Sequence, residues 1–394
     1  MSTVSRLQDV VCAAELDGWL LYDFRGLNPF PAQVLNLGRG ILTRRWFLYV
    51  PAHGQATLIH HRIEAGSWQH VLSDQTLHRQ EFASHEQLDV LLRQTLAGAH
   101  RVAMEYSPHG EVPYVSYVDA GTVERVRACG VEVVSSADLL QHFLTWDAAD
   151  RAAHDQAVHG VIQAKNLAFQ LIHDRLSAAQ RVTELEVQAL IVRQLSSIGL
   201  AFDHAPIVAF GSHASDGHYA PSPETDRALE IGQCVLIDLW AGFADRPMAD
   251  ITWVGFAGEP TDEYRRVWAA VRDARDRALH LLTTRAVRAG WEVDRAARDL
   301  ITARGYGAAF RHRLGHSLGR NMPHGPSVNL DDWETHDTRQ LLSGLAVTVE
   351  PGVYIGHLGI RSEVNVLMTD TGAIVTTPVQ VEPYRLGVGP FTPD

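Results

Sequence analysis

The stretch CVLIDLWAGFADRPMADITWVGFA, residues 234–257, decides how this chain is read. Its two ends, Cys234 to Trp240 and Ala249 to Ala257, are rich in β-branched and aromatic residues, and GFADRPM between them supplies turn chemistry. The pattern predicts two strands of one antiparallel pair. Asp238 interrupts the first strand where an apolar side chain is the default, and Asp250 lies at the start of the second. A carboxylate on a buried strand must be hydrogen-bonded, paired or metal-bound, because burying its charge alone costs more than the position returns. Adjacent antiparallel strands can set both carboxylates on one face. Taken singly, Asp238 is explained as well by a hydrogen-bonding or turn role as by metal ligation.

Working outward, LAVTVEPGVY (345–354) and SEVNVLMTD (362–370) predict two further strands with a glycine-containing connection, and AIVTTP (373–378) predicts another. They place Glu350 just before a Pro-Gly turn and Glu363 beside β-type sequence. His316 lies in RHRLGHSLG (311–319), whose glycines let the backbone come close to such a cluster. The chain has 21 histidines, so His316 takes its weight from this setting and not from its residue type. If the four carboxylates converge, they repel one another unless cations lie between them. Four carboxylates and an imidazole suit manganese, cobalt or zinc better than copper or iron–sulfur chemistry.

Around these strands the periodicity is helical. Val161, Ile162, Leu167, Ala168, Leu171 and Ile172 form a broad apolar face. Thr183 and Glu186 form a capping box, and further helices are predicted over 261–284 and 293–304, the last stopped by Gly305. Residues 151–394 therefore read as an α+β domain with a curved antiparallel sheet. Residues 1–150 read as a smaller α/β domain, with strands at Gly18–Tyr22, Trp46–Val50, Ala56–His60 and Arg101–Glu105 and helices over 84–97 and 136–146. No phosphate-binding glycine loop follows a strand, so nucleotide use has no support.

Composition sets the outer bounds. A chain of 394 residues with 46% hydrophobic composition can build two cores. Its formal charge of -12, with 34 Lys+Arg against 46 Asp+Glu, argues against a nucleic-acid partner. Cys12, Cys129 and Cys234 lie far apart, which suits a reducing compartment and no disulfide framework. The first residues, MSTVSRLQDVV, lack the pattern of a signal peptide, and no apolar run approaches the roughly 20 residues of a membrane span. The expectation is a cytoplasmic protein with no membrane partner.

The order Asp238, Asp250, His316, Glu350, Glu363, with LIDLW, DIT, GHSLG, TVEPGVY and IRSEV around them, resembles the pita-bread metallopeptidases. That family contains methionine aminopeptidase, aminopeptidase P and prolidase, together with the metal-free creatinases. The resemblance covers about residues 155–382, and the first 150 residues resemble, by length and element order, the amino-terminal domain of the creatinase, prolidase and aminopeptidase P group. It implies that the five residues ligate two divalent metal ions, manganese first, with cobalt or zinc as alternatives. It implies a metal-bridged hydroxide as nucleophile, Glu350 as general base, and His324 and His218 as donors to the developing oxyanion. His312, Tyr354 and Arg361 fall where relatives line the substrate pocket or support the ligands. A plain structural role for His312 is as good an account.

The substrate implied is a peptide with proline in second position, cut before the proline. A small bacterial Xaa-Pro dipeptidase is the first choice and aminopeptidase P acting on longer peptides the alternative, with a creatinase-like carbon–nitrogen hydrolase or a non-catalytic binding relative behind them. Arg320, Arg361 and Arg246 are candidate readers of the proline carboxylate. Relatives with the extra domain imply a homodimer. The chain departs from the family in three places: the Asp238 to Asp250 and His316 to His324 intervals are each one residue longer than usual, and Gly325 stands where an acidic residue usually follows the second histidine.

Overall fold

The structure, a computed structural model, describes residues 3–37, 42–69, 72 and 77–393. The chain divides into two compact units, Met1–Leu144 and Thr145–Asp394.

The first unit is built on a six-stranded sheet: β1 (Gly18–Asp23), β2 (Trp46–Pro51), β3 (Thr57–His61), β4 (His78–Phe82), β5 (Arg101–Met104) and β6 (Glu132–Ser135), in the order β4-β3-β2-β1-β5-β6. β1, β2 and β3 pair antiparallel, whereas β4, β5 and β6 each join their neighbour in parallel. Helices α1 (Thr3–Ala13), α2 (Pro29–Val34), α3 (Ala65–Trp68), α4 (His85–Thr95), α5 (Ala120–Arg127) and α6 (Ala137–Gln141) accompany it. Two apolar clusters give the unit its core: Trp19, Leu21, Trp46 and Leu48 belong to one, and Leu20, Phe47, Ile59 and Val102 to the other, as alternating strand side chains require. The helix expected over 136–146 is shorter than its apolar pattern: past Gln141 the chain tightens, with His142 N, Phe143 N and Leu144 N donating to Leu139 O, Leu140 O and Gln141 O at 3.3, 2.9 and 3.1 Å.

The second unit carries the strands that opened the reading. β7 (Ile207–Phe210), β8 (Cys234–Ala241) and β9 (Ala249–Ala257) form an antiparallel run, and β15 (Tyr384–Leu386) adds to β9 in parallel. β10 (Ala346–Val349), β13 (Val364–Thr369) and β14 (Gly372–Val375) make a second antiparallel sheet, while β11 (Gly352–Tyr354) and β12 (Gly359–Arg361) pair as a separate hairpin. LAVTVEPGVY is thus split by its Pro-Gly between two sheets. The sheet is antiparallel as expected except at β15.

Helix α7 (Ala148–Ser177) buries Val161, Ala164, Ala168, Phe169 and Ile172 in one cluster with Val208, Ile237, Leu239, Ile251 and Trp253. Helix α8 (Glu184–Ser197) is opened by the Thr183 and Glu186 capping box, and Val187, Ile191 and Leu195 join the same cluster. Thr261 caps α9 (Asp262–Thr283), and α10 (Gly290–Ala303) ends before Gly305, which sits at φ +86.

The sheets meet through side chains. Asn365, from β13, accepts from Asp250 N at 3.0 Å and donates to Asp250 O at 2.6 Å. Gln380 treats Val254 the same way, at 3.0 and 2.7 Å, and Glu363 N donates to Thr252 O at 3.2 Å.

Candidate metal centre

In the β8–β9 register, Asp238 faces Thr252 and Asp250 faces Trp240, so the two carboxylates stand on a diagonal of one face. The other three residues arrive from breaks in strands. Segment 314–318 lies along β10: Thr348 N donates to His316 O at 2.8 Å, Glu350 N to Leu314 O at 2.8 Å, and His316 N to Thr348 Oγ1 at 2.9 Å. This pairing brings His316 and Glu350 side by side, with His316 Nε2 3.5 Å from Glu350 Oε1 and 3.5 Å from Asp250 Oδ2. It requires glycine at 315, where a Cβ would meet Thr348 O at 2.1 Å. Glu363, between β12 and β13, accepts from Thr252 Oγ1 at 2.8 Å.

All five side chains therefore line one cleft of about 540 Å³, together with His218, His324, Arg361, Trp240 and Pro323. Asp250, His316 and Glu363 each offer a donor atom within 4.8 Å of the others'. Asp238 divides its oxygens: Oδ2 is held by Arg361 Nη2, whereas buried Oδ1 has no hydrogen-bond partner among the described residues. A buried carboxylate oxygen left unpaired beside three other acids is costly unless a cation takes it.

The electrostatics agree. Burial pushes the Asp238 carboxyl up to about 6 against the pull of Arg361, and burial pushes Asp250 up to about 7. Glu350 is raised, and Glu363 is raised well above the ordinary range, by burial first and then by the neighbouring acids. His316 is lowered, chiefly by burial, and stays a neutral imidazole, the form able to ligate metal. A divalent cation inverts this logic, since it favours every ionised carboxylate around it. The residues present thus fit divalent metal.

His324 stands with its ring 4.2 Å from that of His316, and the neighbouring His316 and Arg313 hold its pKa below the ordinary imidazole value, so it is neutral. His218 faces the cleft from a loop whose turn is fixed by Asp216 Oδ1, which accepts from His218 N at 3.1 Å. His312 and Tyr354 do not line the cleft. They stand behind Arg361: His312 Nε2 meets Tyr354 OH at 2.8 Å, and Arg361 Nη1 donates to that hydroxyl at 3.2 Å.

Three residues that the sequence did not single out hold the centre in shape. Thr252 both donates to Glu363 and accepts from Arg361 Nε at 2.9 Å, and its place in DIT, two residues from Asp250 on the same strand face, was the available signal. Asn365 carried no signal beyond being polar inside an apolar strand. Glu184, fully buried, accepts from Phe210 N, His213 Nδ1 and Tyr219 OH at 2.7, 2.9 and 2.7 Å and so ties down the loop that bears His218. Of the candidate carboxylate readers, Arg246 and Arg320 both bind Asp150, and Arg361 is committed to Asp238, Thr252 and Tyr354.

Two strand-borne aspartates, a histidine and two glutamates converging inside a pita-bread α+β domain define the class as a carboxylate-rich metallohydrolase fold. Residues 149–370 match the profile of metallopeptidase family M24, and the chain belongs to that family. It is 31% identical over 231 residues to an uncharacterized peptidase of Staphylococcus aureus (strain MRSA252), covering 57% of this chain and 61% of that one. It is 32% identical over 203 residues to another from Staphylococcus haemolyticus, covering 50% and 53%. The chain thus spans less than two thirds of the length of these curated relatives.

Among solved structures, the dipeptidase PepE from Mycobacterium ulcerans superposes with a TM-score of 0.68 at 23% identity, covering 98% of this chain and 97% of that one. The Xaa-Pro dipeptidase from Bacillus anthracis gives 0.62 at 22% identity, with 98% and 99% covered. The X-Pro aminopeptidase from Thermotoga maritima gives 0.60 at 23%, with 98% and 100% covered. These likenesses establish the two-domain fold.

Proposed function

We propose that the protein hydrolyses the peptide bond before proline, in Xaa-Pro dipeptides, with two divalent cations held by Asp238, Asp250, His316, Glu350 and Glu363. The observation that carries the reading is the convergence of these five side chains on one cleft with Asp238 Oδ1 left unpaired. Bound cations would supply Lewis acidity and lower the pKa of an attacking water. Glu350, at the cleft and held through Oε1 by Thr348 Oγ1 at 3.1 Å, takes the proton and passes it toward the leaving nitrogen. Neutral His324, with His218, donates to the oxyanion that develops at the scissile carbonyl. Arg361, backed by Tyr354 and His312, fixes one oxygen of Asp238 and leaves the other available as a ligand. The protein is taken to work in the cytoplasm as a homodimer.

One observation favours a second reading, aminopeptidase P activity on longer peptides. Arg246, Arg320 and Arg361 are all engaged within the protein, so none of these three is left to read a dipeptide's proline carboxylate. The deciding experiment supplies manganese, cobalt or zinc and compares Xaa-Pro dipeptides, Xaa-Pro tripeptides and creatine. Cleavage of dipeptides alone is expected. Efficient tripeptide cleavage moves the assignment to aminopeptidase P, and no hydrolysis with metal demonstrably bound overturns the peptidase reading.

A further inference from the structure

We propose that Asp150, in the first turn of α7, is a positioning residue for the strap 319–324, which carries Met322, Pro323 and His324 onto the wall of the cleft. The role given to His324 rests on the peptidase reading above. The anchoring itself rests on geometry alone.

Asp150 is 2% exposed, and its carboxylate accepts four hydrogen bonds. Its Oδ1 takes Arg320 Nη1 at 2.7 Å and Arg246 Nη1 at 2.9 Å, and its Oδ2 takes Arg320 Nη2 at 2.5 Å and Asp147 N at 3.2 Å. Arg320 is thus gripped through both Nη atoms, a geometry that fixes direction as well as distance. The two arginines belong to different loops. Arg246 lies in the turn between β8 and β9, and Arg320 lies in the strap.

These loops also hold each other. Asn321 Oδ1 accepts from Asp245 N at 2.8 Å, and Asn321 Nδ2 donates to Asp245 Oδ1 at 2.8 Å. Arg320 Nη1 reaches Asp245 O at 3.0 Å, and Met248 N donates to Gly319 O at 3.0 Å. Asp245 and Asn321 sit at φ +59 and +65, the left-handed region that short polar residues of this kind tolerate. Asp245 lies between Asp238 and Asp250, and Asn321 lies between His316 and His324, so the two connections are locked to each other.

Asn321, Met322 and His324 are exposed, and among the described residues the strap is otherwise held by Gly319 N donating to Pro323 O at 2.8 Å, Gly325 N donating to Ser317 O at 2.7 Å, the bridge between Leu318 and His324, and a long contact of 3.4 Å between Arg313 Nη2 and His324 Nδ1. Asp150, by contrast, belongs to a 30-residue helix whose inner face is packed against the β8–β9 sheet. The carboxylate therefore ties the strap that carries His324 to that helix through Arg320. Asp150 touches none of the five ligand side chains, so its loss leaves metal binding intact.

The test compares the full-length protein with Asp150→Asn, Arg320→Gln, the double variant, and Asn321→Gly, which keeps the backbone conformation while removing the side-chain interlock. Two readouts are taken: hydrogen exchange of residues 318–324, and kcat and KM with manganese bound and its affinity measured by calorimetry. The expected result is exchange at least tenfold faster in the strap, unchanged manganese affinity, and kcat/KM lowered about tenfold to a hundredfold, the scale of an ångström-size misplacement. The double variant should match the worse single variant. Unchanged strap exchange in Arg320→Gln and Asn321→Gly overturns the proposal even if Asp150→Asn fails to fold. So does a double variant that multiplies the single effects. If the parent turns over no peptide, the peptidase reading falls while the exchange data still decide the anchoring.

Discussion

Replacing Gly315 by alanine tests how the metal centre is assembled. The added Cβ would lie 2.1 Å from Thr348 O and 2.8 Å from its carbonyl carbon, where real contacts start above about 3 Å. The neighbour is backbone, so segment 314–318 must lift from β10 by about 1 Å or more. Of the four hydrogen bonds that span that seam, Leu318 N to Ala346 O at 2.9 Å lies farthest from the new methyl, and three flank it: Thr348 N to His316 O, Glu350 N to Leu314 O and His316 N to Thr348 Oγ1, at 2.8, 2.8 and 2.9 Å. At about 1 kcal/mol each, losing them costs about 3 kcal/mol. A unit of this size loses about 2–4 °C of melting temperature per kcal/mol, so a drop of about 6–12 °C is expected. Since His316 and Glu350 both ride on the seam, manganese affinity should fall with it. Calorimetry of metal binding and thermal unfolding read the two effects together. The control is Gly66→Ala, at an exposed helical position with nothing within 4 Å of the new methyl. A Gly315→Ala protein that melts within about 1 °C of the parent and binds manganese as tightly refutes the close-approach argument.

Metal-free protein should lose stability as pH rises from about 4 to 7, because burial lifts Asp238 and Asp250 to about 6 and about 7 and their folded forms hold protons that the unfolded chain releases. That contribution is fully present below the unfolded carboxyl values and disappears as pH passes the folded ones; saturating manganese should reverse the slope, which denaturant titrations at several pH values will reveal. Thr252→Val removes the hydroxyl shared by Glu363 and Arg361 without changing side-chain shape, and should cost about 1–3 kcal/mol in unfolding free energy while weakening manganese binding. Glu350→Gln should cut turnover by at least about a hundredfold even when metal is restored in excess, as expected for loss of a proton-transferring group; full activity in that variant would remove Glu350 from the role given to it.

Much of this was readable in the chain. A carboxylate in the middle of VLIDLW has few physical explanations, and the turn residues of GFADRPM fix which strand Asp250 must face. Thr183 and Thr261 announce their helices because a side-chain cap is a local interaction. What could not be read is nonlocal or satisfied elsewhere. β4 (HRQEF) and β6 (EVVS) carry mixed polarity and too few residues for a period to emerge, and β15 joins β9 across more than a hundred residues of chain. His312 and Tyr354 stand behind Arg361 because the two-stranded β11–β12 hairpin turns away from β10, which an unbroken reading of LAVTVEPGVY does not foresee. The interlock of Asp245 with Asn321 could not be foreseen because nothing in one loop's sequence mentions the other.

The amide clamps on β9 have a consequence for how the sheets of this unit hold together. A strand margin is a template on which a neighbouring chain can add itself, and folded proteins must block it. Here Asn365 occupies the peptide of Asp250, Glu363 N takes the carbonyl of Thr252, Gln380 occupies the peptide of Val254, and β15 continues from Gly255. Two side chains thus stand in for a missing strand along the margin nearest the acidic cluster. Because β9, Asn365 and Gln380 are all buried, truncating either amide would leave an N–H and a C=O of β9 unpaired in the interior, and the two sheets would loosen where the acidic cluster depends on them.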